Sequence, residues 1–300
     1  MKTVLLFIML CSVSMAFGIS NEKREFAKTL IPRLKKLVPL HERMGEPKPG
    51  EWLAEHPEEG QTFKEYVNCK PVLPTATRNK IYLLPIGKLE GRYNQLVSDT
   101  SRYLSLFYGL DTKLLKPISS TLIPQEARRE NVLGTQLLST YILNDILVPR
   151  LPEDAACLIA LSKHDLWPGK GWNFVFGQAN TRKRVGVWSL TRFGVDDDEV
   201  KYETVLRRTV KTAAHEVGHM FTMRHCKVFE CLMNGSNSLY ESEKRPLYMC
   251  PHCLGKLMLL TNRKLITHLQ FMEALTKSLK FNVTSEFYKK CVQTLSPENK

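Results

Sequence analysis

No stretch of this 300-residue chain is long and apolar enough to cross a bilayer, which takes about 20 residues. The apolar run near the start, VLLFIML at 4–10, is far too short. No Lys/Arg cluster interleaves with aromatics in the way of nucleic-acid-binding modules, so no nucleic-acid partner is expected. Acidic residues are outnumbered, 30 against 43 Lys and Arg, for a net charge of +13. The one acidic run, Asp196-Asp197-Asp198-Glu199, lacks the spacing of a calcium loop and reads as a solvated loop. The positive excess fits a solvated basic surface; polyanionic surfaces such as glycosaminoglycans or anionic membranes are the partners it would favour.

What is present is ordinary for a folded protein, with 43% hydrophobic and 24% charged residues. Met1-Lys2, the run 4–10 and the small residues 11–18 have the build of a secretory signal peptide. Cleavage after Ala16 and after Gly18 fit equally. A secreted protein is therefore the expectation, with a cytoplasmic one as the alternative.

The chemistry concentrates in His215-Glu216-Val217-Gly218-His219. Two histidines four apart project from one helix face, at the spacing that holds a zinc ion. Glu216 sits one position round, where a carboxylate reaches a metal-bound water without ligating the metal. His225 lies six residues further on, and a straight helix would carry it about 9 Å along the axis. If it completes the site, the helix must end soon after His219 and the chain must turn back. Three protein ligands and one open position describe a catalytic zinc site.

Cys226 with Cys231, and Cys250 with Cys253, form two closely spaced pairs that can close a four-thiolate zinc site. Two disulfides or buried free thiols are the alternatives, and the tight C-x-x-C loop suits a metal better. Two zinc ions per chain follow from this count.

HEVGHMFTMRHCKVFECLM followed by CPHC resembles the archaemetzincin (archaelysin) zinc metallopeptidases, within the wider metzincin arrangement. IYLLPIG at 81–87, DAACLIALSKHDLWP at 154–168, WNFVFGQA at 172–179 and RPLYMCPHC at 245–253 are similar too. EWLAEHPEEGQTFKEY at 51–66 looks like the vertebrate-type members. The resemblance implies an α/β (α+β) zincin fold with a mixed twisted sheet, an antiparallel edge strand, an active-site helix and a helical C-terminal part. It implies peptide-bond hydrolysis of a peptide or protein substrate. His215, His219 and His225 would bind the catalytic zinc, with Glu216 as general base and Met233 as the apolar floor. Cys226, Cys231, Cys250 and Cys253 would bind the second zinc. Asn173, Phe174, Val175 and Phe176 would form the edge strand that pairs with substrate. One departure stands out: Thr222 occupies the position where the family usually has Gly. A β-branched residue at positive φ is strained, by about 1–3 kcal/mol. A zinc-binding protein of this fold with little or no turnover is therefore the second expectation.

In order along the chain, residues 1–18 read as the leader and 19–70 as an N-terminal extension, with a pro-segment as its alternative. Residues 71–255 read as the catalytic domain and 256–300 as C-terminal helices packed on it. Expected strands are 81–87, 113–118, 155–162, 172–179 and 185–191. Expected helices are 89–108, 132–147, 202–221, 254–280 and 285–295. Cys157 reads as a buried thiol, and Cys69 and Cys291 as a candidate disulfide. Asn282 carries an exposed-looking glycosylation sequon, whereas the sequon at Asn234 directly follows Met233 and is expected to be buried. His41, His56, His164, His252 and His268 read as structural.

Overall fold

A computed structural model describes residues 19–88 and 90–296. The leader-like residues 1–18 lie outside it. The chain opens with helix α1 (Asn21–Leu37), capped by the Ser20 hydroxyl, then a short turn α2 (Trp52–Glu55) and α3 (Phe63–Asn68). Thr62 and Glu65 close a reciprocal capping box at the start of α3. These elements do not stand apart. Leu30, Leu34, Leu37, Phe63 and Tyr66 enter the same buried core as the helix that carries His215 and His219 and as the C-terminal helices.

Strand β1 (Lys80–Ile86) leads into α4 (Arg92–Tyr108). Tyr93, Leu96, Val97, Tyr103, Leu104 and Phe107 recur on one buried stripe of that helix, and Gly109 at φ 63° ends it. Strand β2 (Asp111–Leu114) pairs in parallel with β1. The expected strand 113–118 is thus placed two residues early, with a separate bridge between Ile86 and Ile118.

The expected helix 132–147 is only half helical. A hairpin of β3 (Arg128–Asn131) and β4 (Gly134–Leu138) occupies its first part. Gly134 turns the hairpin at φ 90° and Asn131 Oδ1 accepts from the Leu133 N–H. Leu133 and Leu137 fit a helical period, but Gln136 and Leu137 are buried from strand β4. Only then do α5 (Ser139–Tyr141) and a wide helical turn, Ile142–Leu147, form.

Strand β5 (Ala155–Ser162) is buried at all eight positions, because parallel strands cover both its edges and helices its faces. Strand β6 (Asp165–Trp167) joins β4. The main sheet is completed by β7 (Gly177–Asn180) and β8 (Val185–Ser189), in the order β2-β1-β5-β8-β7. All its pairings are parallel except β7 with β8, so β7 is an antiparallel edge strand, as expected.

Helix α6 (Tyr202–Met220) crosses this sheet and carries the histidines. After α7 (Leu239–Lys244), helix α8 (Pro251–Thr261) starts at Cys250. The expected single helix 254–280 is broken by Asn262, in left-handed conformation at φ 53°, into α8 and α9 (Leu265–Ser278). Helix α10 (Asn282–Leu295) packs on α9. The expected domain boundary at 255/256 falls inside α8, where a Cβ on Gly255 would come within 3.0 Å of Leu34 and Phe63 of the N-terminal part. No described helix is long and apolar enough to cross a membrane.

Candidate metal centre

The chain does turn back after His219. The Met223 N–H reaches across to the Gly218 carbonyl (3.0 Å) and Thr222 N–H to that of His219 (2.9 Å). Thr222 takes the left-handed conformation, φ 69°, that glycine adopts without strain. Its strain is held by the N-terminal segment. The Thr222 hydroxyl accepts from the Val72 N–H (2.9 Å) and the Thr222 carbonyl from Gln61 Nε2 (3.2 Å). The Tyr66 hydroxyl donates to the neighbouring Phe221 carbonyl (2.7 Å). Three hydrogen bonds of about 1 kcal/mol each are the right size to offset one strained residue.

The turn brings the third imidazole back. His219 Nε2 lies 2.9 Å from His215 Nε2 and 3.2 Å from His225 Nε2. On the far side of each ring, Nδ1 faces an acceptor: Leu232 O for His215 (3.0 Å), Met223 O for His219 (2.7 Å) and Glu58 Oε1 for His225 (2.6 Å). Carbonyl and carboxylate oxygens only accept, so each Nδ1 donates and each Nε2 presents a lone pair. Three lone pairs converging without a proton between them need a cation. Tetrahedral zinc with bonds of about 2.0 Å would separate such nitrogens by roughly 3.3 Å, close to the observed spacing. Burial, and then the neighbouring imidazoles, hold His215 well below its ordinary pKa and His219 down to about 3, so neither competes for a proton.

Glu216 is 7% exposed and its carboxyl rests on the first residue of β7. A Cβ on Gly177 would come within 2.8 Å of Glu216 Oε1, so a larger residue there would push the carboxylate aside. Burial raises the Glu216 pKa to about 8, the environment of a group that exchanges protons. Met233 packs against the metal helix at Gly218, where a Cβ would meet its sulfur at 2.7 Å.

The four cysteines Cys226, Cys231, Cys250 and Cys253 are buried, with sulfurs all within 4.8 Å of one another. Cys226 Sγ and Cys250 Sγ are 3.6 Å apart, far beyond an S–S bond and close to the roughly 3.8 Å edge of a zinc tetrathiolate. Backbone N–H groups of Cys250 and Met233 point at Cys231 Sγ (3.2 and 3.5 Å). Asn234 staples the loop: its amide donates to Cys226 O (2.6 Å) and Phe229 O (3.0 Å) and accepts from the Cys231 N–H (2.7 Å). It is buried, as its position after Met233 implied. His252 stays out of the cluster and accepts from the Phe63 N–H at 3.5 Å.

The expected substrate strand begins later than 172–179. The ladder runs from Gly177 to Asn180. Phe174, Val175 and Phe176 line the cavity beside the histidines, but Asn173 does not. Its carbonyl is taken by Arg129 Nη2 (2.6 Å) and Gln136 Nε2 (2.9 Å), which fold the chain inward before the ladder starts. Cys69 and Cys291 are both free, the first exposed and the second buried. Cys69 contacts Tyr66 O and Gln61, not the histidines, so it does not cap the site.

Sequence reasoning missed Glu58. It bridges His225 Nδ1 and the Trp52 indole N–H (2.7 Å), and Trp52 in turn packs edge-on against His225. A carboxylate behind a ligand histidine fixes the ring and raises its basicity. The run EHPEEG gave no signal because nothing local says which carboxylate faces a residue 167 positions away. Glu58→Gln is expected to weaken zinc binding at the histidine site by about ten- to a hundredfold. Competition against a chromogenic chelator reads this, and an unchanged affinity would reduce Glu58 to a surface contact.

Fold and site together define a zinc metallopeptidase of the zincin class. Residues 155–259 match the family described as "Peptidase family M54". Archaemetzincin-2 of Macaca fascicularis is 34% identical over 243 residues, 70% of this chain and 67% of its own length. Archaemetzincin-1 of Homo sapiens is 27% identical over 264 residues, covering 76% and 52%. The crystal structure of archaemetzincin from Methanopyrus kandleri superposes with a TM-score of 0.51 at 28% identity, covering 63% of this chain and 99% of that one. The chain belongs to the archaemetzincin family.

Proposed function

We propose that the protein hydrolyses peptide bonds with Glu216 as general base and binds two zinc ions per chain. The observation that carries this reading is the convergence of three Nε2 lone pairs beside a buried carboxylate. Bound at the histidines, zinc supplies a Lewis acid that lowers the pKa of a water toward about 7 and polarises a carbonyl. Glu216 removes the proton from the attacking water and returns one to the leaving nitrogen. The outer edge of β7 offers main-chain groups to an extended substrate, and the stacked rings of Trp52 and Trp172 also line the cleft. The four thiolates hold the second zinc as a structural ion. The leader-like residues 1–18 support a secreted location.

The test is a peptide-mixture digest with the purified protein. Cleavage that a chelator abolishes and added zinc restores is expected, together with two zinc ions per chain by elemental analysis. Two bound zinc ions and no cleavage would favour the alternative, a zinc-binding protein silenced at Thr222.

A further inference from the structure

We propose that the cavity beyond the metal ligands is a carboxylate subsite, in which Lys211 and Arg245 hold the carboxylate of a substrate residue next to the scissile bond. This rests on the peptidase reading above and narrows its substrate class. The cavity encloses about 260 Å³ and runs from His215, Glu216, His219 and His225 to Lys211 and Arg245. That is room for one side chain.

Lys211 lies one helical turn before His215 on α6, about 6 Å along the axis. A Glu or Asp side chain beside a carbonyl held at the histidines spans that distance. Lys211 Nζ donates to Ser242 O (2.7 Å) and Arg245 O (2.6 Å). An ammonium has three donors, so one remains. Arg245 gives Nη1 to Glu230 (2.7 and 2.6 Å) and Nη2 to Glu241 (3.4 Å). Its Nε is buried and has no partner. A buried orphan donor costs about 1–3 kcal/mol unless something accepts from it. The acids nearby are occupied: Glu230 and Glu241 by Arg245, and Glu243 by Arg207 (3.1 Å) and Arg208 (2.9 Å). Lys211, with one donor to spare, and Arg245, whose Nε lies buried without a partner, are thus the cationic residues of a cavity whose remaining carboxylate, Glu216, sits at the metal end. Burial already holds Lys211 down to about 7, a penalty that an anionic ligand would remove.

The carboxylate can come from an acidic side chain or from the free C-terminus of a peptide. Four quenched peptides separate these: C-terminally amidated with Glu, Gln or Leu on either side of the cleaved bond, and the Leu peptide with a free terminus. Zinc-loaded wild type is expected to cleave the Glu peptide at least about tenfold faster than the Gln peptide, in kcat/KM. Preferential cleavage of the free-terminus peptide would support the same subsite and identify the chain terminus as its ligand. Lys211→Met is expected to bring the selectivity ratio near one, a change that mere loss of folded protein does not produce. Equal rates for Glu, Gln and free-terminus peptides in wild type overturn the subsite and leave the peptidase reading intact. If no peptide is cleaved, the peptidase reading falls, and calorimetry on the Glu216→Gln protein decides the subsite. Tighter binding of either carboxylate peptide, by about tenfold, sustains it; equal binding of all four overturns it.

Discussion

Glu216→Gln is expected to keep its zinc and its fold while losing peptide hydrolysis by about a hundred- to ten-thousandfold. The substitution preserves shape, which matters because Gly177 leaves no slack beside this side chain. It also removes a buried acid whose ionised form is penalised by burial, so the melting temperature should hold or rise. What disappears is the acceptor for the water's proton. Stopped assays over a range of enzyme concentrations give the rate, and elemental analysis on the same sample gives the zinc. An unchanged rate with full zinc would remove Glu216 from the mechanism.

Cys250→Ser carries the second large effect, and its target is stability. Structural zinc in small sites is worth about 10–16 kcal/mol, as much as the whole stability of a typical domain. Cys250 is fully buried and is the residue from which α8 starts. Its loss releases α8 from the loop at Cys226 and Cys231, and Cys226 is the immediate neighbour of His225. The variant should therefore lose the thiolate zinc, bind the histidine zinc more weakly and melt far below wild type or fail to fold. His219→Ala, which touches only the catalytic ion, should melt much closer to wild type. Thermal melts of the two variants side by side make the comparison; a Cys250→Ser protein melting with wild type would show the cluster to be dispensable.

Much of this architecture was legible in the sequence because it repeats a short local rule. β5 reads as one apolar run with turn residues at both ends, and 155–162 is where the strand lies. That His215 and His219 lie together could be read because helical spacing alone puts one above the other. The failures share a different cause. At 132–147 the leucines are spaced for a helix, but Gly134, at φ 90°, makes a hairpin turn there instead. The edge strand began late because Arg129 and Gln136, from another sheet, seize the Asn173 carbonyl. The apolar period of 254–280 runs on through Asn262, a residue that tolerates the left-handed region and breaks the helix there. Glu58, Gly177 and Lys211 act only through partners brought together by the fold, and no window of sequence shows such a pairing.

The residue at the bend after the metal helix keeps its positive φ because a distant stretch props it up. Val72, Gln61 and Tyr66 together hold Phe221 and Thr222 in place. A shortened protein starting at residue 73 would leave threonine in a posture suited to glycine with nothing to sustain it, and would surrender the Glu58 contact at the same stroke. Restoring glycine there would mend only the first of those losses.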